Sequence, residues 1–506
     1  MPSRLRIAVL VLAAVVLFLS FLGRRDIVTS HEARVAQTAR LMAASGWPWN
    51  ARPVSVKRPG SDQPWQVNPW AIPVFGGEIR LQKPPLPYWC TAVVFRAFGT
   101  SEGAARAVPA LMGVFGTMLL YALGKRLYGR RVAFAGACIW ITTHFIVDEY
   151  RKAMADPYLA FFALACIWAW IAAAQDRRGV YLLAFYVSLA LALLAKGPPA
   201  LVVIALPLLA FHLLYRRMPL ASVPAHLAGV ALLLAIGLPW PIYLLSHIPD
   251  AIEIWRYESL GELADNVENA RPWYFYPPNL LLIALPWTPW WILGLLDPFS
   301  RDRRPQRWLP LFWLAAVVLF FSFVHQKKNA YLLPAVPAVV LMVAQMTVIP
   351  RRSADRWLVG QAVAYGAALL VFVNLYDASK DNARSPRPIG RHITALLAAD
   401  RYAVAAPDAL WFYLPLEVPD SRSATRTLVA VEPGRRLPPR YAAGAVEIKQ
   451  AGFNGWRLYE AIAPPRHPPA PAPAPASRAT DPAPTARGTP AGGFSSSGWP
   501  AGHGNS

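Results

Sequence analysis

The sequence predicts an all-α, multi-spanning membrane protein with a small α/β module near its C-terminus. Of its 506 residues, 55% are hydrophobic and 15% are charged, and the mean hydropathy is +0.32. A typical soluble domain carries about 25% charged residues. The apolar residues also form blocks long enough to cross a bilayer, such as residues 157–174 and 198–214. These observations exclude an ordinary soluble protein.

Charge and cysteine content exclude two further classes. The net charge of +22 would suggest nucleic-acid binding in a soluble protein. Here the basic residues gather in short loops between apolar blocks, as at 124–131 and 300–307, which is the positive-inside pattern of membrane proteins. We therefore expect no nucleic-acid partner. The three cysteines are Cys90, Cys138 and Cys166, and the last two lie within apolar blocks, so we expect no disulfide framework.

About eleven spans of roughly 17 to 25 residues account for the apolar blocks. The first, 7–22, resembles a signal peptide, but no small-x-small cleavage site follows it, so we expect it to be retained. The segment 87–98 decides the topology. If it is a helix on the outer surface, the basic loops share a side with Arg4 and Arg6, which predicts a cytoplasmic N-terminus. The other expected spans are residues 107–123, 132–147, 157–174, 180–195, 198–214, 222–246, 274–296, 308–324, 330–348 and 357–375.

This topology divides the chain into three regions. Residues 1–375 form the predicted transmembrane domain, whose long loops 23–106 and 247–273 face the outer side. Residues 376–463 have the composition of a small soluble unit, which we expect outside the membrane. The tail at 464–506 is rich in proline and alanine and cannot bury a core, so we expect it to be disordered.

Local patterns predict the elements of the C-terminal module. IGRHITALLAAD at 389–400 has helical spacing. Four short runs have strand character. They are RYAVAA at 401–406, RTLVAVE at 426–432, GAVEIKQ at 444–450 and WRLYEAIA at 456–463.

The first outer loop opens with a candidate surface helix at residues 30–46. Its small apolar face and its polar face predict a helix that lies on the membrane surface. A solvated interfacial helix without a functional role is the alternative interpretation. The apolar face consists of Ala33, Ala36, Ala39 and Leu41, and the polar face of His31, Glu32, Arg34, Gln37 and Arg40.

Other outer segments carry further candidate residues. Two prolines follow Lys83 and fix an extended backbone behind it, although the segment is also consistent with a loop that returns to the bilayer. Asp156 and Lys196 lie at the outer ends of apolar blocks, where a charge must be exposed or paired. The turn before the tenth span adds Lys327, Lys328 and Tyr331.

Six segments, in order along residues 1–375, resemble motifs of one family: the GT-C-type membrane glycosyltransferases that use polyprenyl-phosphate sugars, specifically the aminoarabinose transferase and protein-mannosyltransferase-like group. The family's Asp-Glu-x-Arg-Tyr-Ala-Glu, Glu-Lys-Pro-Pro and Lys-x-x-x-Tyr-Leu-Leu-Pro motifs are similar to the first, second and last of these. The segments are HEARVAQ at 31–37, QKPPLPYW at 82–89, MADPYLAFF at 154–162, LAKGPPAL at 194–201, RPWYFYPP at 271–278 and KKNAYLLP at 327–334.

The resemblance implies a fold and an activity. It implies the GT-C fold and transfer of a hexose or pentose from a polyprenyl phosphate to a lipid, glycan or protein acceptor outside a bacterial inner membrane. A base must take the acceptor proton, and cations must stabilise the departing phosphate. The resemblance assigns the base to Glu32 or His31, the donor phosphate to Arg34, Lys83, Lys327 and Tyr331, and other cavity positions to Asp156, Lys196 and Arg271.

The chain departs from the family at three positions. His31 stands where the family has its catalytic aspartate, so the base is either His31 or its neighbour Glu32. Gln82 and Asn269 stand where some members hold a metal between an acidic residue and a histidine. Two amides are poor metal ligands, so we expect neither a metal nor another cofactor.

Two alternative functions stay open at this point. The replaced aspartate is consistent with a degenerate homologue that binds a polyprenyl phosphate without catalysis. A transporter of lipid-linked sugars is the other alternative, but the sequence has no internal repeat, and its charged residues gather at the outer rim of the spans. The sequence identifies neither the sugar nor the acceptor.

Overall fold

A computed structural model describes most of the chain. The predicted disordered tail and the position of Asn269 lie outside the described residues. Residues Met1–Ala463 form one compact unit. The residues not described are 1–2, 58–62, 217–222, 249, 257–270, 300–304, 325–326, 349–351, 401, 417, 419–425, 443, 450–451 and 463–506.

Helices dominate the chain up to Asn382. The helices up to Arg256, the last of which lies within the second long loop, are α1 (Ser3–Leu19), α2 (Ser30–Ser45), α3 (Leu86–Phe98), α4 (Glu102–Tyr128), α5 (Arg130–Thr142), α6 (His144–Tyr150), α7 (Ala155–Asp176), α8 (Gly179–Lys196), α9 (Pro199–Tyr215), α10 (Val223–Gly237), α11 (Pro239–His247) and α12 (Ala251–Arg256). After it follow α13 (Tyr276–Ile283), α14 (Thr288–Leu296), α15 (Pro305–Ser322), α16 (Val336–Thr347), α17 (Arg352–Val371) and the short α18 (Ala378–Asn382). Short 3₁₀ helices lie at Trp273–Phe275, Asp297–Phe299 and Asn329–Ala335, and a π-helix at Phe372–Asp377.

The helices make the chain a multi-spanning membrane protein. Among the described residues, five helices are long and apolar enough to cross a bilayer, and three bent pairs raise that number to eight if each pair is one span. Every one of the eleven expected spans contains a helix or a bent pair of helices. Their total of eleven stays a prediction. The last of them runs on past residue 375, because the π-helix and α18 continue α17 as far as Asn382.

Close helix packing builds the membrane core. Gly113 of α4 lies against the ring of Phe18, and a Cβ atom there would be 2.6 Å from Phe18 Cδ1. Small residues let membrane helices approach in this way. Trp140, Trp287 and Trp313 are fully buried between the helices. The core thus holds the helix ends, and the loops attached to them, in fixed positions.

The first outer loop contains structure that the sequence analysis did not predict. Strands β1 (Val54–Lys57) and β2 (Pro64–Val67) pair antiparallel, as do β3 (Val74–Phe75) and β4 (Glu78–Ile79). Their apolar side chains pack with those of α11 in one cluster. The strands are too short for a period of two residues to stand out in the sequence.

A four-stranded sheet lies near the C-terminus, with β5 (Tyr402–Ala405), β6 (Arg426–Val431), β8 (Arg457–Ile462) and β7 (Val446–Ile448) in that order. The pair β5–β6 is parallel, and the pairs β6–β8 and β7–β8 are antiparallel. The helix α19 (Arg387–Ala399) covers the sheet through Ile389 and Ile393, and α20 (Asp408–Trp411) follows β5. The four strands and α19 coincide with the five segments predicted from the sequence.

Candidate functional site

The site begins at the N-terminus of α2. Thr29 caps this helix, because its side-chain oxygen accepts a hydrogen bond from the backbone N–H of Glu32 at 3.3 Å. His31 and Glu32 therefore lie in the first turn. Neighbouring residues on a helix point about 100° apart, so their side chains enter different surroundings.

Glu32 is buried and fully engaged. Arg106 of α4 donates two hydrogen bonds to its carboxylate, and the backbone N–H of Ala153 donates a third at 3.0 Å. Burial acts to raise the pKa of Glu32, but Arg106 and these hydrogen bonds outweigh it, so the pKa lies below its usual value. Glu32 is thus an ionised anchor between α2 and the helices behind it.

His31 faces a cluster of cations. Its Nε2 lies 3.1 Å from Nζ of Lys328. Partial desolvation by the surrounding protein, followed by the charges of Lys328, Arg34 and Lys83, lowers the pKa of His31 to about 4, although Asp156 acts in the opposite direction. His31 is therefore neutral at pH 7, and its Nε2 accepts a hydrogen bond from the Lys328 ammonium group.

An ion pair closes the other side of this cluster. Asp156, at the start of α7, pairs with Lys196, at the end of α8, and both side chains are about nine-tenths buried. The ammonium group of Lys196 also lies over the ring of Tyr331, 4.5 Å from its centroid, and that of Lys328 lies 6.0 Å from the same centroid. The fold thereby brings residues from distant segments of the sequence to one place.

Lys327 differs from its neighbour. Its side chain is only 5% exposed, and its ammonium group donates to the backbone carbonyls of Arg271 at 3.0 Å and Val324 at 2.5 Å. The guanidinium of Arg271 lies over the ring of Phe275. Lys327 thus links the segment that begins at Arg271 to the end of the chain segment at Val324, whereas Lys328 faces His31.

Arg34 connects the cluster to the C-terminal sheet region. It lies one helical turn after His31 and forms an ion pair with Asp408 of α20. The two side chains are 35% and 25% exposed, so the pair lies at the rim that water reaches.

One expectation about α2 needs correction. Glu32 and Gln37 were expected on a solvated face, but they are only 2% and 5% exposed. Leu41, expected on the apolar face, is partly buried and packs against an apolar cluster. The reason is that α2 packs against both α3 and α20, and so is covered on more sides than a helix that lies on a membrane surface.

Several partners of the site escaped the sequence analysis. Arg106 was predicted only as the end of a loop, although a lone arginine near an apolar segment is itself a signal of a buried partner. Arg25 and Lys152 both bind Asp148, at 3.0 Å and 2.6 Å, and Lys152 also binds Glu149 at 2.6 Å. The acidic pair at 148–149 and Lys152 are close together in the sequence, whereas Arg25 comes from a remote segment.

The residues at the family's metal position do not fit a divalent cation. Gln82 offers a neutral amide oxygen, which is a weaker ligand than a carboxylate. Within the described part of the chain, no group of three or more His, Cys, Asp or Glu side chains is arranged to hold a metal. Asn269 lies outside that part, so the absence of a metal stays a prediction.

The sequence is similar to known membrane glycosyltransferases. Residues 82–243 match the family described as dolichyl-phosphate-mannose-protein mannosyltransferase. The undecaprenyl phosphate-alpha-4-amino-4-deoxy-L-arabinose arabinosyl transferase 2 of Proteus mirabilis is 25% identical over 68% of this chain and 59% of its own length. An enzyme of the same description from Pseudomonas fluorescens is 28% identical over 54% of this chain and 48% of its own length. The chain thus spans about half the length of the curated relatives it matches.

The fold is similar to that of a solved structure over almost the whole chain. The crystal structure of ArnT from Cupriavidus metallidurans bound to undecaprenyl phosphate matches with a TM-score of 0.69 and 18% identity, and the match covers 91% of this chain and 99% of the other. The same protein in its apo state gives a TM-score of 0.69. The predicted resemblance to the GT-C glycosyltransferases of the aminoarabinose transferase type, and the multi-span fold that it implies, are confirmed.

Proposed function

We propose that this chain is an inner-membrane glycosyltransferase, which moves a sugar from a polyprenyl phosphate to an acceptor on the outer face of the membrane. The observation that carries the proposal is the meeting of His31, Lys328, Asp156 and Lys196 at the ends of apolar helices. A cationic cluster of this kind, on a fold shared with a protein that binds undecaprenyl phosphate, suits a lipid-linked phosphate.

The cations bind the donor phosphate in this proposal. As the acceptor oxygen attacks the anomeric carbon, the bond from that carbon to the phosphate oxygen breaks, and the polyprenyl phosphate leaves with the electron pair. The charge that develops on the phosphate is stabilised by Lys83 and Lys328, with Lys196 and Tyr331 beside them. Lys328 takes the place of Lys327, because the Lys327 ammonium group is held by two backbone carbonyls.

His31 is the proposed base. The carboxylate of Glu32 is occupied by Arg106, whereas His31 is neutral and its Nε2 accepts a hydrogen bond from Lys328, a lysine that the donor phosphate would attract. Binding of the donor to Lys328 then leaves Nε2 able to accept the acceptor proton. A neutral imidazole is a weak base, so it suits an acidic acceptor group, such as the phosphate of a glycolipid like lipid A, better than a sugar hydroxyl.

The remaining assignments follow from this reaction. Asp156 holds Lys196 and contacts the donor sugar, Arg34 assists at the phosphate, and Lys327 and Arg271 fix the second outer loop.

We also propose the full topology: eleven spans, a cytoplasmic N-terminus, a transmembrane domain at 1–375, an outer module at 376–463 and a disordered tail at 464–506. A hexose or a pentose is the transferred sugar, and the names of the relatives favour an aminoarabinose.

One observation favours a second candidate function. The first-turn carboxylate is tied to Arg106, and His31 replaces an acidic residue, which together suit a protein that binds polyprenyl phosphate without transferring a sugar. Replacing His31 with aspartate separates the two functions. A gain of transfer favours the degenerate homologue, and a loss favours a working histidine.

Mass spectrometry of the copurified lipid, followed by a transfer assay, tests the proposal. We expect the wild-type protein to retain a polyprenyl phosphate or its glycosylated form, and Lys83→Ala to lose it. Lys125→Ala, on an exposed lysine at the far end of α4, is the matched control and should retain the lipid. Absence of the lipid from the wild-type protein, together with no transfer from any polyprenyl-phosphate donor, would overturn the proposal.

A further inference from the structure

One short segment of the C-terminal region grips the first outer loop at several points. Residues 408–414, here called the docking segment, comprise α20 and the turn after it. Arg40 donates hydrogen bonds to the backbone carbonyls of Phe412 at 2.9 Å and Leu414 at 2.8 Å. The hydroxyl of Tyr413 accepts from the backbone N–H of Ile27 at 2.8 Å and donates to Glu102 at 3.1 Å. The docking segment therefore holds the loop that carries His31.

Most of these contacts involve backbone atoms and can hold the docking segment in place without any part in substrate binding. The carbonyls that bind Arg40 belong to the backbone, and the ring of Trp411 lies beside Gly76, where a Cβ atom would be 3.4 Å from Cε2 of that ring. The ion pair between Asp408 and Arg34 is different. It joins two charged side chains, it lies one turn from His31, and it is partly exposed to water.

Arg34 acts electrostatically on the site. It lies on the same side of α2 as His31, and its positive charge is one of those that lower the pKa of His31. A guanidinium at that position can bind a phosphate through two parallel hydrogen bonds. The carboxylate of Asp408 occupies the same donors, so a phosphate and Asp408 compete for them.

We propose that Asp408 is a positioning residue of the site. It holds Arg34 at the rim through their ion pair and releases it when the phosphate group of a substrate binds Arg34. The docking segment thereby links the C-terminal region to substrate binding. The inference rests on the proposed function, because it takes a phosphate-bearing lipid as the ligand of Arg34. The phosphate belongs either to the donor or to the acceptor, and the two arms of the experiment distinguish them.

The experiment compares Asp408→Asn, Arg34→Gln and the double variant in the full chain. Competition from this partly exposed ion pair should weaken substrate binding in the wild-type protein by roughly two- to fivefold. We expect Asp408→Asn to lower KM by that factor with kcat unchanged, and Arg34→Gln to raise KM. The double variant should match Arg34→Gln alone, because Asp408 acts through Arg34. KM is measured separately for an undecaprenyl-phosphate sugar and for lipid A. The substrate whose KM falls is the one whose phosphate binds Arg34.

Tyr413→Phe is the control, because it weakens the same docking segment without changing charge beside His31. It should lower thermal stability and leave both KM values unchanged. If Asp408→Asn behaves like this control, or if the double variant differs from Arg34→Gln, Asp408 only anchors the segment and the inference is wrong.

Equilibrium binding of undecaprenyl phosphate separates this inference from the proposed function. If Asp408→Asn binds undecaprenyl phosphate more tightly than the wild-type protein does, and neither protein transfers a sugar, the inference is supported and the proposed transferase function is wrong. Equal binding by both proteins and an unchanged KM for lipid A overturn the inference while leaving the transferase proposal intact. No binding by the wild-type protein contradicts both.

Discussion

Arg106 and Glu32 form a paired hydrogen bond in the interior, with Nε 2.9 Å from Oε1 and Nη2 3.1 Å from Oε2. Their side chains are 2% and 3% exposed. Arg106 also donates to the backbone carbonyls of Leu22 at 3.0 Å and Arg25 at 2.6 Å. One guanidinium thus fixes the chain that follows α1 and the first turn of α2, and so determines where His31 lies.

Replacing Arg106 with alanine should destabilise the protein strongly. The change leaves the buried carboxylate of Glu32 without its cation, which costs about 3–5 kcal/mol. Thermal unfolding in detergent measures the loss. Arg126→Ala is the matched control on the same helix, because Arg126 pairs with Asp176 at a more exposed position, and the change should cost less than about 1 kcal/mol. Equal losses for the two variants would contradict the role of Arg106.

His31→Ala should reduce sugar transfer by about 10²- to 10⁴-fold, which is the usual contribution of a positioned base. Glu32→Gln should instead act mainly on stability, because the Glu32 carboxylate is held by Arg106 and by the N–H of Ala153. The two variants are compared by initial rate and by thermal unfolding. If Glu32→Gln keeps its stability and loses transfer as His31→Ala does, Glu32 is the base.

The family motifs made most of the site predictable from the sequence. Lys83, Asp156, Lys196 and Tyr331 were selected from four separate segments. The fold brings the last three together near His31, and the charge of Lys83 also lowers the pKa of His31. The reason is that Asp156, Lys196 and Tyr331 each lie near one end of an apolar helix, and the packing of the helices brings these ends together. The lengths of the apolar blocks marked the spans, and local periodicity marked α19 and β5–β8, but neither marked the strands β1–β4.

The partners of those residues could not be predicted. Lys327 and Lys328 are adjacent lysines, and only the geometry of the turn decides which one is buried among carbonyls and which one meets His31. The pairing of Arg34 with Asp408 joins residues that lie far apart in sequence, and no local pattern marks it. The burial of Glu32 likewise depends on Arg106, which lies on another helix.

The pH dependence of transfer reports on His31. Its pKa is lowered to about 4 in the protein without substrate, so the residue stays neutral from pH 8 down to about 5, and kcat/KM, which reports on the free enzyme, should fall only as pH approaches 4. The unfolded chain takes up a proton near pH 6.5, so the stability that a neutral His31 contributes is full above that pH and is lost as pH falls towards 4. Lys328→Met removes one cause of the shift and should move the acidic limb to higher pH, whereas Lys328→Arg keeps the charge and should not. An acidic limb at the same pH in both variants would contradict this prediction.

The adjacent lysines provide the final prediction. Lys328→Ala should lower kcat/KM by about 10- to 100-fold with little change in stability, because it removes a charge-assisted contact to the donor phosphate. Lys327→Met should mainly lower the unfolding temperature, because the carbonyls of Arg271 and Val324 lose their donor. Rates measured at saturating and at limiting donor, beside thermal unfolding, separate the two effects. If Lys327→Met loses transfer at unchanged stability, the phosphate contact belongs to Lys327, as the family resemblance predicts, and the second outer segment must rearrange when the donor binds.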